Sequence, residues 1–164
     1  MSDLQPTELD ADVLALGSAL IVATVGPDGE PRACRASSWE LIDAAQRRVR
    51  VAVAADDPQA VSYLVEGPEP RYLAVTGADV ATLRSIQLKG RVVATEPPDD
   101  TDLALVARHN DVFISKIEAT DGHPPNVIRR FLPSVLIMVE LIVEEAYDQT
   151  PGPAAGAALL PGGA

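Results

Sequence analysis

The sequence predicts an α+β domain, mainly β, built on a small antiparallel barrel, closed or split, with peripheral helices. Three observations carry that reading. Short runs rich in β-branched residues follow one another along the chain, separated by Gly/Pro/Asp clusters. Helical patterns are few and come mostly late. The 164 residues, 47% of them apolar, suit one domain with one core and argue against disorder.

Taken in order, Ala11–Leu16 reads as one or two helical turns and Ala19–Val25 as the first strand. Gly26–Pro27–Asp28–Gly29 is a strong turn signal, so the run from Pro31 to Leu41 returns antiparallel. After a break at Asp43–Ala44–Ala45–Gln46, Val49, Val51 and Val53 alternate with Arg48, Arg50 and Ala52, completing a three-strand meander. Asp56–Asp57–Pro58 starts a helix over Gln59 to Val65, with Asp as cap and Pro in the first turn, and Gly67–Pro68 stops it. Arg71 to Thr76 and Thr82 to Thr95 are strands. From Asp99 to Ile117, strand alternation disappears. Leu103, Val106, Phe113, Ile114 and Ile117 make an imperfect helical stripe, with Asn110 as its flaw. A loop at Gly122–Pro125, a short helix from Val127 to Leu132 and a last strand from Val135 to Glu145 follow. Residues 1–149 thus form the domain, and residues 150–164 a Pro/Gly/Ala-rich, poorly packed tail.

Charge and composition exclude several roles. Thirteen Lys+Arg against 24 Asp+Glu leave a net charge of −11, a field that repels phosphate backbones and argues against nucleic acid. A small anionic ligand needs a local cationic pocket. One cysteine, Cys34, excludes an internal disulfide and a multi-Cys zinc site. The acidic start, MSDLQPTELD, lacks a secretory pattern, and the longest apolar run, Val135 to Val143, is interrupted by Glu140. A spanning helix needs about 20 residues. A cytoplasmic protein without membrane contact is the expectation.

Standard catalytic motifs are absent: no phosphate loop, nucleophile elbow or HExxH. His109 and His123 stand far apart and read as structural or solvated. Cys34, amid Ala33, Arg35 and Ala36, reads as a small buried hydrophobe rather than a nucleophile. Glu140 reads as an outward gatekeeper in preference to a buried carboxylate with an arginine partner.

The informative segment is Leu83–Val92. With a two-residue period, Ile86, Leu88 and Val92 share the core face with Arg84, while Ser85, Gln87, Lys89 and Arg91 share the other. That second row is either a solvated sheet face or the wall of a binding site in which Gln87 donates and accepts and Lys89 supplies charge. Arg35, Ser37 and Trp39 form a comparable trio, suited to a flat, polar, anionic ligand or to a dimer interface.

The order of elements, the segment RSIQLKGRV from Arg84 to Val92 and the tail Tyr147–Pro153 (YDQTPGP) resemble the pyridoxamine 5′-phosphate oxidase-like, FMN-binding split-barrel family, from about Gly17 to Pro153. The resemblance implies a six-stranded antiparallel split β-barrel, a homodimer, and FMN in clefts between protomers. It places Arg35, Ala36 and Ser37 along the flavin, and Ser85 and Gln87 at the isoalloxazine or ribityl, with Lys89 as the nearby cation. Where that family commonly carries basic residues for the FMN phosphate, this chain has Ala55–Asp56–Asp57–Pro58–Gln59–Ala60. Gln59 offers hydrogen bonds there but no charge. The leading reading is an FMN-binding, flavin-dependent oxidoreductase acting on an unknown small molecule. The alternatives are an F420-dependent reductase, or a non-enzymatic dimeric flavin- or haem-binding module, with or without its ligand.

Overall fold

A computed structural model of the protein describes residues 16–160, so the helical turns expected over Ala11–Leu16 lie almost wholly outside the described residues. Strand β1 (Ala19–Val25) turns at residues 26–29 into β2 (Pro31–Asp43), and β3 (Arg48–Ala54) completes the meander. Helix α1 (Pro58–Val65) begins where Asp57 caps it, the carboxylate accepting the Gln59 N–H, with Pro58 in the first turn. β4 (Tyr72–Ala78) and β5 (Ser85–Glu96) form the next hairpin.

Helix α2 (Asp100–Asp121) opens with a capping box between Asp99 and Asp102 and closes on Gly122, whose φ of 70° is the left-handed cap that glycine suits. A short α3 (Pro125–Ile128) and a 3₁₀ turn (Arg129–Phe131) lead into β6 (Leu136–Asp148), and β7 (Ala158–Leu160) pairs with β6. The tail therefore contributes a strand where composition suggests only loop.

All strand pairings are antiparallel. The order is β3-β2-β1-β4-β5-β6-β7, and pairing of β3 with β6 closes the first six strands into a barrel. Closure removes the free edges that an open sheet would present. Inward side chains fill the lumen: Leu20, Val22, Val51, Val53, Leu73, Val75, Ile86, Leu88, Val139 and Leu141 are all buried. With α1, α2 and α3 outside, the chain is α+β and mainly β, as the strand pattern predicts.

Four expectations need correction. The stripe of α2 is not the one apolar spacing suggests, because Leu103 is exposed while Asp102, Val106, His109 and Ile114 are buried. The polar members are satisfied by partners on the barrel: Asp102 by Arg50, and His109 by the Gly17 N–H (3.3 Å to Nδ1) and the Ser18 carbonyl (3.0 Å from Nε2). Glu140 is no outward gatekeeper: it lies half-buried between Arg48 and Arg50, accepting from Arg50 Nη1 at 2.8 Å. Arg84 lies outside β5, in the turn before it, and is exposed rather than on the core face. Finally, a register shift between Ala36 and Ser38 makes a β-bulge, so Ser37, Ser38 and Trp39 are buried in succession. Arg35 and Trp39 then face opposite sides, and the trio Arg35, Ser37 and Trp39 is not one surface.

Candidate functional site

Alternation sets one face of β2, β1, β4 and β5 against the core and the other outward, and no helix makes more than slight contact with β1, β4 or β5. Register aligns the outward residues into rows. Arg35 pairs with Ile21, Ile21 with Thr76, Thr76 with Gln87 and Gln87 with Tyr147. The neighbouring row runs Ala33, Ala23, Ala74, Lys89 and Glu145, and Ala19, Ala78 and Ser85 lie on the other side. With strands about 4.8 Å apart, Arg35 and Gln87 stand roughly 14 Å from each other across this face. Between them stand Ile21, 58% exposed, and Thr76, while Val25, 63% exposed, lies at the far end of β1.

The structure brings only part of the sequence-derived set onto this surface. Arg35 is exposed at one end. Gln87 is half-buried and its amide lies within hydrogen-bond distance of the Thr76 hydroxyl, Nε2 donating to Oγ1 at 3.2 Å. Lys89 is exposed, 4.7 Å from the centre of the Tyr147 ring and 3.9 Å from Glu145. Ser85 is half-buried, and its backbone is held by the tail: its N–H donates to Thr150 Oγ1 at 3.1 Å and its carbonyl accepts from Gln149 N at 2.9 Å.

The remaining candidates point elsewhere. Ala36 turns its methyl toward the core. Ser37 is buried at the bulge, its hydroxyl without a hydrogen-bond partner among the described residues. Gln59 is exposed at the start of α1, its N–H already committed to Asp57 Oδ1 at 2.9 Å.

Two clefts flank the face. One, of about 570 Å³, reaches Lys89 and is walled by Pro27, Pro31, Tyr63, Pro68, Pro70 and Tyr72. Its wall is braced: the Tyr63 hydroxyl donates to Asp28 at 2.9 Å, and Arg71 donates to Glu69 and to the Val65 carbonyl. Gly26 lets the Tyr63 ring approach, since a Cβ there would lie 2.3 Å from it. The other cleft, of about 540 Å³, is shared by β2, the start of α1 and the 130–134 segment; Arg35, Arg130, Asp56 and Asp57 line it with Cys34 and Phe131. Burial, then Asp57 and Asp56, push the Cys34 thiol up to about 11, so it stays protonated and is a poor nucleophile.

Sequence reasoning missed Thr76, which only strand register sets beside Gln87, and the pair Arg130–Phe131, which the 3₁₀ turn carries to β2. Among the described residues no group of three or more His, Cys, Asp or Glu could hold a metal ion, and no helix is long and apolar enough to cross a membrane.

No protein-family model matches the sequence, and no curated protein matches it. Solved structures do. HupZ from Group A Streptococcus superposes with a TM-score of 0.50 at 14% identity, over 93% of this chain and 100% of that one. A putative pyridoxamine 5′-phosphate oxidase from Lactobacillus delbrueckii superposes with a TM-score of 0.50 at 17% identity, over 89% and 95% of the two chains. The fold is the pyridoxamine 5′-phosphate oxidase-like split barrel. A pyridoxamine 5′-phosphate oxidase-related, FMN-binding protein from Nostoc punctiforme superposes with a TM-score of 0.46 at 14% identity, over 92% of this chain and 87% of that one.

Whether this split barrel suits FMN differs between the two ends of that molecule. The outer face, with small side chains at Ala23, Ala33 and Ala74 and with the Gln87 amide and Arg35 at its margins, fits a planar heteroaromatic ring with polar edges. The start of α1 does not fit a phosphate. A free helix N-terminus offers N–H groups to an anion, but here Asp57 fills that position, and Asp56 stands beside it.

Proposed function

We propose that this protein is a flavin-dependent oxidoreductase for a small molecule, holding an FMN-type cofactor against the outer face of β2, β1, β4 and β5. The observation that carries the reading is the row Arg35, Ile21, Thr76 and Gln87, which sets hydrogen-bonding groups beside exposed apolar ones on the outer sheet of this fold. A second copy of the chain covers Ile21 and Val25 and completes the cofactor cleft as a homodimer. The cleft beside Lys89 offers the substrate an apolar wall. The flavin supplies the electron-transfer chemistry; the chain's residues bind it, orient it and exclude water. The fold of the putative pyridoxamine 5′-phosphate oxidase from Lactobacillus delbrueckii supports this reading.

Flavin fluorescence tests it. Added FMN is quenched on binding, and Lys89→Ala raises the dissociation constant about tenfold, the loss of one charge-assisted contact to the polar edge of the ring system. Protein that quenches FMN, riboflavin and F420 not at all overturns the proposal, and quenching of F420 alone shifts it to an F420-dependent reductase.

One observation favours a second reading, a flavin- or haem-binding module without catalysis. Two candidate acid–base or nucleophilic groups are disarmed: His109 is spent on Gly17 and Ser18, and the Cys34 thiol is held protonated. A bound flavin that no small-molecule donor reduces faster than free flavin decides for the module.

A further inference from the structure

We infer that this chain holds its flavin by the ring system and ribityl chain without recognising a 5′-phosphate, so that riboflavin binds about as well as FMN. The inference rests on the flavin reading. It names what part of the cofactor the protein selects.

The cleft that Arg35 shares with the start of α1, at the margin of the outer face, carries as many carboxylates as cations before any ligand arrives: Arg35 and Arg130 line it together with Asp56 and Asp57. Both carboxylates are tied into the structure: Asp57 accepts the Gln59 N–H at 2.9 Å, and Asp56 accepts the Ser134 hydroxyl at 3.2 Å. Each has therefore a structural partner that keeps it in place when a second anion approaches. The helix dipole, which favours an anion at its N-terminus, is already answered by the Asp57 side chain.

Within one chain, three further cations near the outer face already have carboxylate partners. Lys89 lies 3.9 Å from Glu145, Arg91 lies 3.6 Å from Glu144, and Arg71 donates to Glu69 at 2.9 Å. A dianionic phosphate has to disrupt one of these pairs or enter a cleft holding two carboxylates, against a chain charge of −11. The Cys34 thiol lines the same cleft, and burial first, then Asp57 and Asp56, raise its pKa. A riboflavin hydroxyl terminus carries no charge and meets none of this opposition.

The experiment is parallel fluorescence titration of the full chain with riboflavin and FMN, in the wild type and in Asp56→Asn/Asp57→Asn. Asparagine also caps helices, so α1 keeps its start. The expected result is dissociation constants within about threefold of each other in the wild type. In the double variant, FMN tightens roughly tenfold while riboflavin is unmoved. Wild-type protein that binds FMN ten or more times tighter than riboflavin overturns the inference, as does a double variant in which the two ligands keep the wild-type ratio. If neither flavin binds the wild type, the proposed function fails. Thermal unfolding with inorganic pyrophosphate then judges the cleft separately: stabilisation of the double variant alone upholds its exclusion of phosphate, and stabilisation of the wild type, or of neither protein, overturns it.

Discussion

Arg50 grips Asp102 with two parallel contacts, Nε to Oδ1 at 3.0 Å and Nη2 to Oδ2 at 2.9 Å, and so fastens β3 to the first turn of α2. The same guanidinium reaches Glu140 on β6, and Asp102 also completes the capping box of α2. One side chain thus joins two strands and a helix start. Asp102 is held below the usual carboxylate range, first by its hydrogen bonds from Arg50. Arg50→Ala leaves Asp102 and Glu140 shielded from water and without this partner, and costs about 3 kcal/mol of stability. Arg50→Lys keeps the charge, loses the fork and costs less. Urea unfolding followed by circular dichroism measures both.

His109 makes stability depend on pH. Its imidazole is held below the ordinary 6.5, first because burial disfavours the charged ring. The unfolded chain then takes up a proton at a higher pH than the folded chain does. Stability from this group is complete above 6.5 and is lost as pH falls below it. Thermal midpoints recorded from neutral pH downward fall through that window, and His109→Gln removes that component of the slope.

Gly77 is required by Trp39. A Cβ at Gly77 would lie 2.5 Å from the buried indole ring, closer than packed atoms tolerate. Gly77→Ala displaces the ring and costs about 1–3 kcal/mol. Trp39 is the chain's single tryptophan, so its emission spectrum reports the displacement directly.

Ile21 tests the second copy. It is 58% exposed at the middle of the outer face, between Arg35 and Thr76 in register. Ile21→Glu places a charge in the proposed contact without disturbing the core on the opposite side of β1. Sedimentation velocity shows a dimer for the wild type and a monomer for the variant. A wild-type monomer at micromolar concentration overturns the shared cleft.

Local chemistry made much of this fold legible. β1 matches its β-branched run residue for residue, α1 starts at the Asp–Pro signal, and β5 presents Ser85, Gln87 and Lys89 opposite Ile86 and Leu88 as a two-residue period requires. These features depend on neighbours in the chain, whose spacing is written in the sequence. Where the reading failed, the deciding partner was distant: Arg50 and Ser18 make polar residues acceptable on the buried face of α2, and the bulge at Ser37 shifts the alternation of β2 so that Trp39 enters the core.

The candidate site divides in the same way. Sequence alone determined the polar row of β5 and the two acidic residues before α1, because each is a matter of residue type and short-range period. Only tertiary structure set Thr76 beside Gln87, carried Arg130 and Phe131 to the cleft of Arg35, and tied Thr150 to Ser85. Those juxtapositions follow from register and barrel closure, and closure depends on β3 meeting β6 across most of the chain. No local pattern encodes that meeting, since it is chosen by the burial of the whole core at once.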